Sequence, residues 1–334
     1  MNSSLGETVN ISEVGTSESE LFTYTKPEGR FLVYYHVEIV LCILTIITNG
    51  ITILVIACNV KLRILSNVYF ASLAVSDFAQ GVFGIVFNAA RIRGVSSGNW
   101  HLFDGASSQV LQFLWWFATD FSYCCLILIA IERWVFIAHP MVYKRHWTVR
   151  ITVAGLTAAG AISFTFSYLA VCKDLVKVNV RYVFPSVHTL LSCLIFSAYF
   201  HIIAIAYRQQ KAISRTEVGL RRGSVDSMHS LVCRAWRALR MSLIVFTMYF
   251  FTVSPWTYFQ AVQSWLDPSP VKDEISQVLN TVTCLHFFSN FFVYACQNKD
   301  FSDVLKLYLS KIFLRKNKHS QPAEIYTIND VMIS

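Results

Sequence analysis

The sequence predicts an all-α membrane protein: a seven-transmembrane helix bundle followed by a short amphipathic eighth helix. Three observations carry this. Of 334 residues, 54% are hydrophobic and only 14% charged, whereas a soluble domain carries about 25% charged residues. The apolar residues gather into seven stretches of roughly 20 residues or more, each enough to cross a hydrocarbon core about 30 Å thick. The loops between those stretches differ in basic content from one side to the other, as a chain threaded through a bilayer requires.

Residues 1–30 are polar and acidic, with Glu7, Glu13, Glu18, Glu20 and Glu28 and no apolar core of a cleavable leader. The first span is then expected to act as its own insertion signal. The spans fall at about 33–58, 67–90, 108–132, 149–171, 183–207, 238–263 and 276–297. Each must be a helix, because a lone strand leaves its backbone groups unpaired in lipid. The last element, "FSDVLKLYLSKIF" from Phe301 to Phe313, has an apolar face and flanking lysines suited to the membrane surface.

Seven spans put the termini on opposite sides. The face holding the tail and the loops near 91–107, 172–182 and 264–275 has eight of the 28 Lys and Arg residues. The other face has twenty, eight of them between Arg208 and Arg240, and is cytoplasmic by the positive-inside rule. Two glycosylation sequons, at Asn2 and Asn10, lie in the acidic tail and agree with an extracellular N-terminus. The net charge of +8 thus reads as membrane topology plus an inner contact surface, not as nucleic-acid binding. Seven of nine cysteines lie in or at the ends of spans, and Cys172 alone is near the outer surface. There is no CxxC or Cys/His spacing for zinc.

Polar groups inside spans are functional candidates by default, because each is costly in lipid without a partner. Asn49 sits in span one, Asp77 in span two, Ser122 in span three and Asn290 in span seven. We expect one buried cluster centred on Asp77, with a sodium ion as its neutralising partner; a hydrogen-bonded cluster that only fixes helix packing would leave the same pattern. At the inner end of span three stand Glu132 and Arg133. Such a pair can be held locally and exchanged when helices move, or can be a snorkelling Arg beside a solvated Glu.

Taken together these residues resemble the rhodopsin-like (class A) G-protein-coupled receptors over roughly 30 to 315. The matching features are Asn49; Leu73, Ala74 and Asp77; Glu132-Arg133-Trp134; Pro140 and Tyr143 in the second inner loop; Pro255; and Asn290 to Tyr294 in span seven. The resemblance implies an extracellular glycosylated tail (1–30), a receptor domain (31–298) and a cytoplasmic eighth helix and tail (299–334). It implies a plasma-membrane location, an extracellular ligand, membrane lipids and a heterotrimeric G protein as partners, and no enzymatic activity. It also implies that Arg133 is restrained by Glu132 at rest and meets the G protein when span six swings out about Pro255. Tyr207 and Tyr294 match tyrosines that support the active arrangement.

Several positions depart from the family. Ser108 stands where the outer disulfide cysteine is usual, leaving Cys172 without its partner, and Tyr199 replaces the span-five proline. Losing both is reminiscent of the melanocortin, lysophospholipid, cannabinoid and adenosine receptor group. Val253 stands at the toggle Trp position and Phe291 at the span-seven proline. These two departures open an alternative: an atypical or orphan chemosensory receptor with weak coupling. A transporter or channel is the remaining alternative, but its internal repeats and Gly/Pro-broken helix pairs are not seen.

On the ligand side, Trp115 occupies the position where amine receptors of the family carry Asp, and Cys284 that of the retinal-bearing Lys. The expected pocket comprises Trp115, Trp116, Thr119, Asp120, Ser192 and Trp256. Asp120 lies about 200° round the helix from Ser122, on the face of Trp116 and Tyr123. There it would hold a cationic ligand group or bond a neighbouring helix. Arg91 and Arg93 would attract an anion or contact headgroups.

Overall fold

The computed structural model describes residues 29–98, 105–171, 180–216, 222–262, 266 and 269–319. The sequons at Asn2 and Asn10, and Cys172, lie outside them. The helices are α1 (Leu32–Cys58), α2 (Leu65–Ser97), α3 (Gly105–Ala138), α4 (Pro140–His146), α5 (Val149–Val171), α6 (Val180–Thr216), α7 (Arg222–Val262), α8 (Pro270–Gln297) and α9 (Lys299–His319). All but α4 and α9 are the bundle. Its perimeter closes through α1 on α2, α6 on α7, α7 on α8 and α8 back on α1; α3 runs through it and touches α2, α5, α6 and α7.

The pattern of α1 shows which solvent the fold was built for. Val33, Val40, Ile47 and Leu54, spaced by seven, are exposed, while Glu38, Cys42, Thr45, Asn49 and Thr52 are buried. Apolar groups outside and polar groups inside is the arrangement for lipid. Hydroxyls within the spans are satisfied locally: Thr45 donates to the Leu41 carbonyl at 2.9 Å and Ser163 to that of Ala159 at 2.8 Å. Where α1 and α2 cross, a Cβ on Gly81 would stand 2.9 Å from the Cys42 carbonyl oxygen, and one on Gly84 would overlap the Cys42 sulfur.

Local signals end the elements. Gly98 closes α2 at φ 66° with its N–H on the Gly94 carbonyl at 2.9 Å, a left-handed conformation suited to glycine. Ser269 caps α8 by accepting from the Lys272 N–H at 3.2 Å, with Pro270 in the first turn. The Asn298 side chain accepts from the Phe301 N–H at 3.1 Å and starts α9.

One sequence expectation changes. The basic stretch from Arg208 to Arg240 is mostly helix, because α6 runs on to Thr216 and α7 begins at Arg222. Arg, Lys, Gln and Ala are good helix formers, and hydropathy locates only the lipid-embedded part of a helix. Among the described residues, six helices are long and apolar enough to cross a membrane. Helix α7 packs between α6 and α8 as a full member of the bundle.

Candidate functional site

Three of the four intramembrane polar residues meet directly. Asp77 is fully buried; its Oδ1 accepts from the Ser122 hydroxyl at 3.0 Å and its Oδ2 from the Asn290 amide at 2.7 Å. Asn49 joins through the backbone, donating to the Phe287 carbonyl at 2.7 Å and to that of Thr45 at 3.0 Å. It thus ties α1 to α8 one turn before Asn290. The Asn290 carbonyl oxygen is buried with no hydrogen-bond partner, as is that of Gln80, one helical turn from Asp77.

At the inner end Glu132 is fixed from three sides. Its Oε1 accepts from Ser66 of α2 and from the Tyr143 hydroxyl of α4, each at 2.7 Å. Its Oε2 lies 3.0 Å from Arg133 Nε, an ion pair without hydrogen-bond alignment, as neither atom has a hydrogen-bond partner. Burial, then the Glu132 carboxylate beside it, pushes the Tyr143 hydroxyl pKa up to about 12. Trp134 turns outward to α6 and donates to His201 Nδ1 at 3.1 Å. Tyr294 is buried edge-on against Phe70 at 4.4 Å, its hydroxyl without a hydrogen-bond partner.

Tyr207, expected to serve the inner end, does not reach it: the side chain is 62% exposed. The buried tyrosine of α6 is Tyr199, packed on Phe246 at 6.1 Å. Eight residues advance about 800°, so Tyr207 is turned roughly 80° from Tyr199 on an unbroken helix. Pro255 sits inside α7, and next to its turn the Thr283 hydroxyl of α8 donates to the Thr252 carbonyl at 3.2 Å.

A narrow cavity opens among α3, α7 and α8. Aromatic residues form half of its wall: Trp115, Trp116, Tyr249, Trp256 and Phe287. Thr119, Thr257, Asn280 and Thr283 supply the polar groups, and Val253 the remainder. Trp256 tilts over Trp116 with ring centres 5.7 Å apart. Two expected pocket residues lie elsewhere. Asp120 turns to α5, where the Ser167 hydroxyl donates to it at 3.3 Å, and Ser192 pairs with the Tyr123 hydroxyl at 3.1 Å. Asp120 points away from Asp77, as its helical azimuth requires, and the neighbour it meets there is set by packing. A wider surface groove between α1 and α2, lined by Ile53, Val68, Val75 and Arg63, holds none of the candidate residues.

One cluster went unread in the sequence. Glu38 of α1 is 1% exposed, and its Oε1 accepts from Gln277 at 2.7 Å, Asn280 at 2.9 Å and Thr281 at 2.7 Å. Its Oε2 lies 3.7 Å from Arg91. Arg91 therefore meets a carboxylate of the chain itself. The signal was available: a glutamate inside an otherwise apolar span needs a partner as much as Asp77 does.

Fold and site define a seven-helix membrane protein whose polar groups run from the cavity to the charged pair at the C-terminal end of α3. The family model described as 7 transmembrane receptor (rhodopsin family) matches residues 48–294. The chain belongs to that family, whose members are receptors and not enzymes. It is 26% identical over 206 residues to the octopamine receptor beta-3R of Drosophila melanogaster, covering 55% of this chain and 16% of that protein. It is 29% identical over 143 residues to chemerin-like receptor 1 of Bos taurus, covering 42% of this chain and 38% of that one. The matched stretches thus span less than half the length of either relative. The crystal structure of squid rhodopsin superposes with a TM-score of 0.68 at 17% identity, covering 87% of this chain and 88% of that chain.

Proposed function

We propose that the chain is a plasma-membrane receptor, N-terminus outside, that takes an extracellular ligand into the cavity and activates heterotrimeric G proteins through Arg133. The observation that carries this is the Glu132 arrangement. The carboxylate is held by Ser66 and Tyr143 at 2.7 Å and holds Arg133 at 3.0 Å, buried at the inner end of α3. A buried charge pair left by one partner is destabilised by several kcal/mol unless another partner arrives. Outward movement of α7 would open a place for that partner, the G protein. Helix α9 and the basic ends of α6 and α7 would flank it at the membrane surface.

The Asp77 cluster is proposed to hold a sodium ion. The carboxylate supplies charge, and the unpartnered Asn290 and Gln80 oxygens nearby are hard donors of the kind such a cation takes. A receptor of weak coupling is the second reading, favoured by Val253 at the toggle position and by the outward turn of Tyr207. The test is Arg133→Ala in reconstituted receptor with G protein. Agonist-free and agonist-driven nucleotide exchange should fall to background while surface expression holds. Unchanged exchange would remove the switch role.

A further inference from the structure

We infer that Cys42 of α1 and Cys284 of α8 are a modification site: a facing thiol pair that hydrogen peroxide closes into a disulfide.

Register places the two residues opposite each other. Glu38 of α1 accepts from Asn280 at 2.9 Å and from Thr281 at 2.7 Å, both of α8. Cys42 lies four residues beyond Glu38, and Cys284 three to four beyond that contact, an advance of about 5–6 Å along each helix. Further on, Asn49 donates to the Phe287 carbonyl at 2.7 Å and pins the same two helices again. Cys42 shares the helical stripe of Glu38 and Asn49, and Cys284 that of Gln277 and Thr281, the stripes that carry these bonds. The two side chains interact directly. Both are buried and both thiols are free.

The cavity supplies the way in. A Cβ on Gly84 would overlap the Cys42 sulfur and stand 3.5 Å from the Trp115 ring, so the sulfur lies beside a residue of the cavity wall. The cavity volume is about 10 Å³, room for one water-sized molecule. Hydrogen peroxide is uncharged and little larger than water, whereas thiol reagents of ordinary size do not fit.

Two steps complete the reaction. The Cys42 sulfur attacks one peroxide oxygen and the O–O bond breaks. The thiol proton goes to the departing hydroxide, giving water and a sulfenic acid. The Cys284 sulfur then attacks the sulfenic sulfur: S–S forms, S–O breaks, and the second thiol proton leaves with hydroxide as water. The two sulfurs give up two electrons in all, and one peroxide takes them. The product joins the first and last helices of the bundle where its perimeter closes.

The test exposes the full-length protein in nanodiscs to hydrogen peroxide until the exposed Cys58 and Cys296 are oxidised. The protein is then denatured, remaining thiols are capped with N-ethylmaleimide, and peptides are mapped by mass spectrometry. Capping of Cys42 and Cys284 should be lost together, mole for mole. Their peptides should appear joined, lighter by two hydrogens than the pair and separated by dithiothreitol. In Cys284→Ser the Cys42 peptide should carry added oxygen instead, because its sulfenic acid has no thiol to meet. Both thiols still capped, each carrying oxygen in the wild-type protein, or either joined to a different cysteine would overturn the inference.

Discussion

Glu38 is the side chain whose environment most constrains its replacement. Three neutral donors converge on one of its oxygens and Arg91 faces the other. Glu38→Ala would remove the shared acceptor of all three donors and the carboxylate that faces the Arg91 guanidinium. We expect a loss of about 3–5 kcal/mol, read as a lower melting temperature of the purified receptor. Glu38→Gln keeps an acceptor and should lose less. Adding Arg91→Met to Glu38→Ala should restore part of the loss, since the positive charge that faced the carboxylate goes with it; additive losses would show that the two residues do not interact. Most central residues were legible from the sequence because an amide or carboxylate in a span is conspicuous. Asp77, Ser122 and Asn290 meet as expected, whereas Asp120 finds Ser167, a serine that no periodicity marks as a partner. Spacing gives a side chain its direction on a helix; the neighbour it meets depends on how helices are placed around it.

Element boundaries divide along the same line. The apolar limits of α1 and α5 agree with the sequence to within a residue, because lipid solvation sets them. The inner ends of α6 and α7 extend well past the apolar stretch, since helix formation continues there on propensity alone. Packing between elements was the least legible part, and the α1–α2 crossing shows why. Two glycines in equivalent sequence settings differ entirely. A Cβ on Gly50 would rest 3.6 Å from the Phe78 ring, an ordinary contact; one on Gly81 would press on the Cys42 backbone, which cannot rotate away. Gly81→Ala should therefore destabilise by roughly 1–3 kcal/mol through overpacking. Gly50→Ala should be neutral or slightly stabilising, because alanine favours helix by about 1 kcal/mol. Equal melting temperatures for the two variants would contradict the close crossing.

The bundle is held from inside by polar groups at three depths. Glu38 links α1, α2 and α8 at one end, Asp77 links α2, α3 and α8 midway, and Glu132 links α2, α3 and α4 at the other end. Because α2 takes part in all three and α8 in two, a shift of either helix at one level bears on the partners at the others. The middle level is where a cation would act on the whole molecule, by holding α2, α3 and α8 in the present arrangement. A bound ion stabilises by the logarithm of its saturation, about 1.4 kcal/mol at ten times its dissociation constant. Exchanging potassium for sodium should then raise the melting temperature by roughly 2–4 °C and lower agonist-free nucleotide exchange. Asp77→Asn retains size and hydrogen bonding while removing the charge, so both sodium responses should vanish in it. If they persist in full, the ion acts elsewhere and the central cluster serves packing alone.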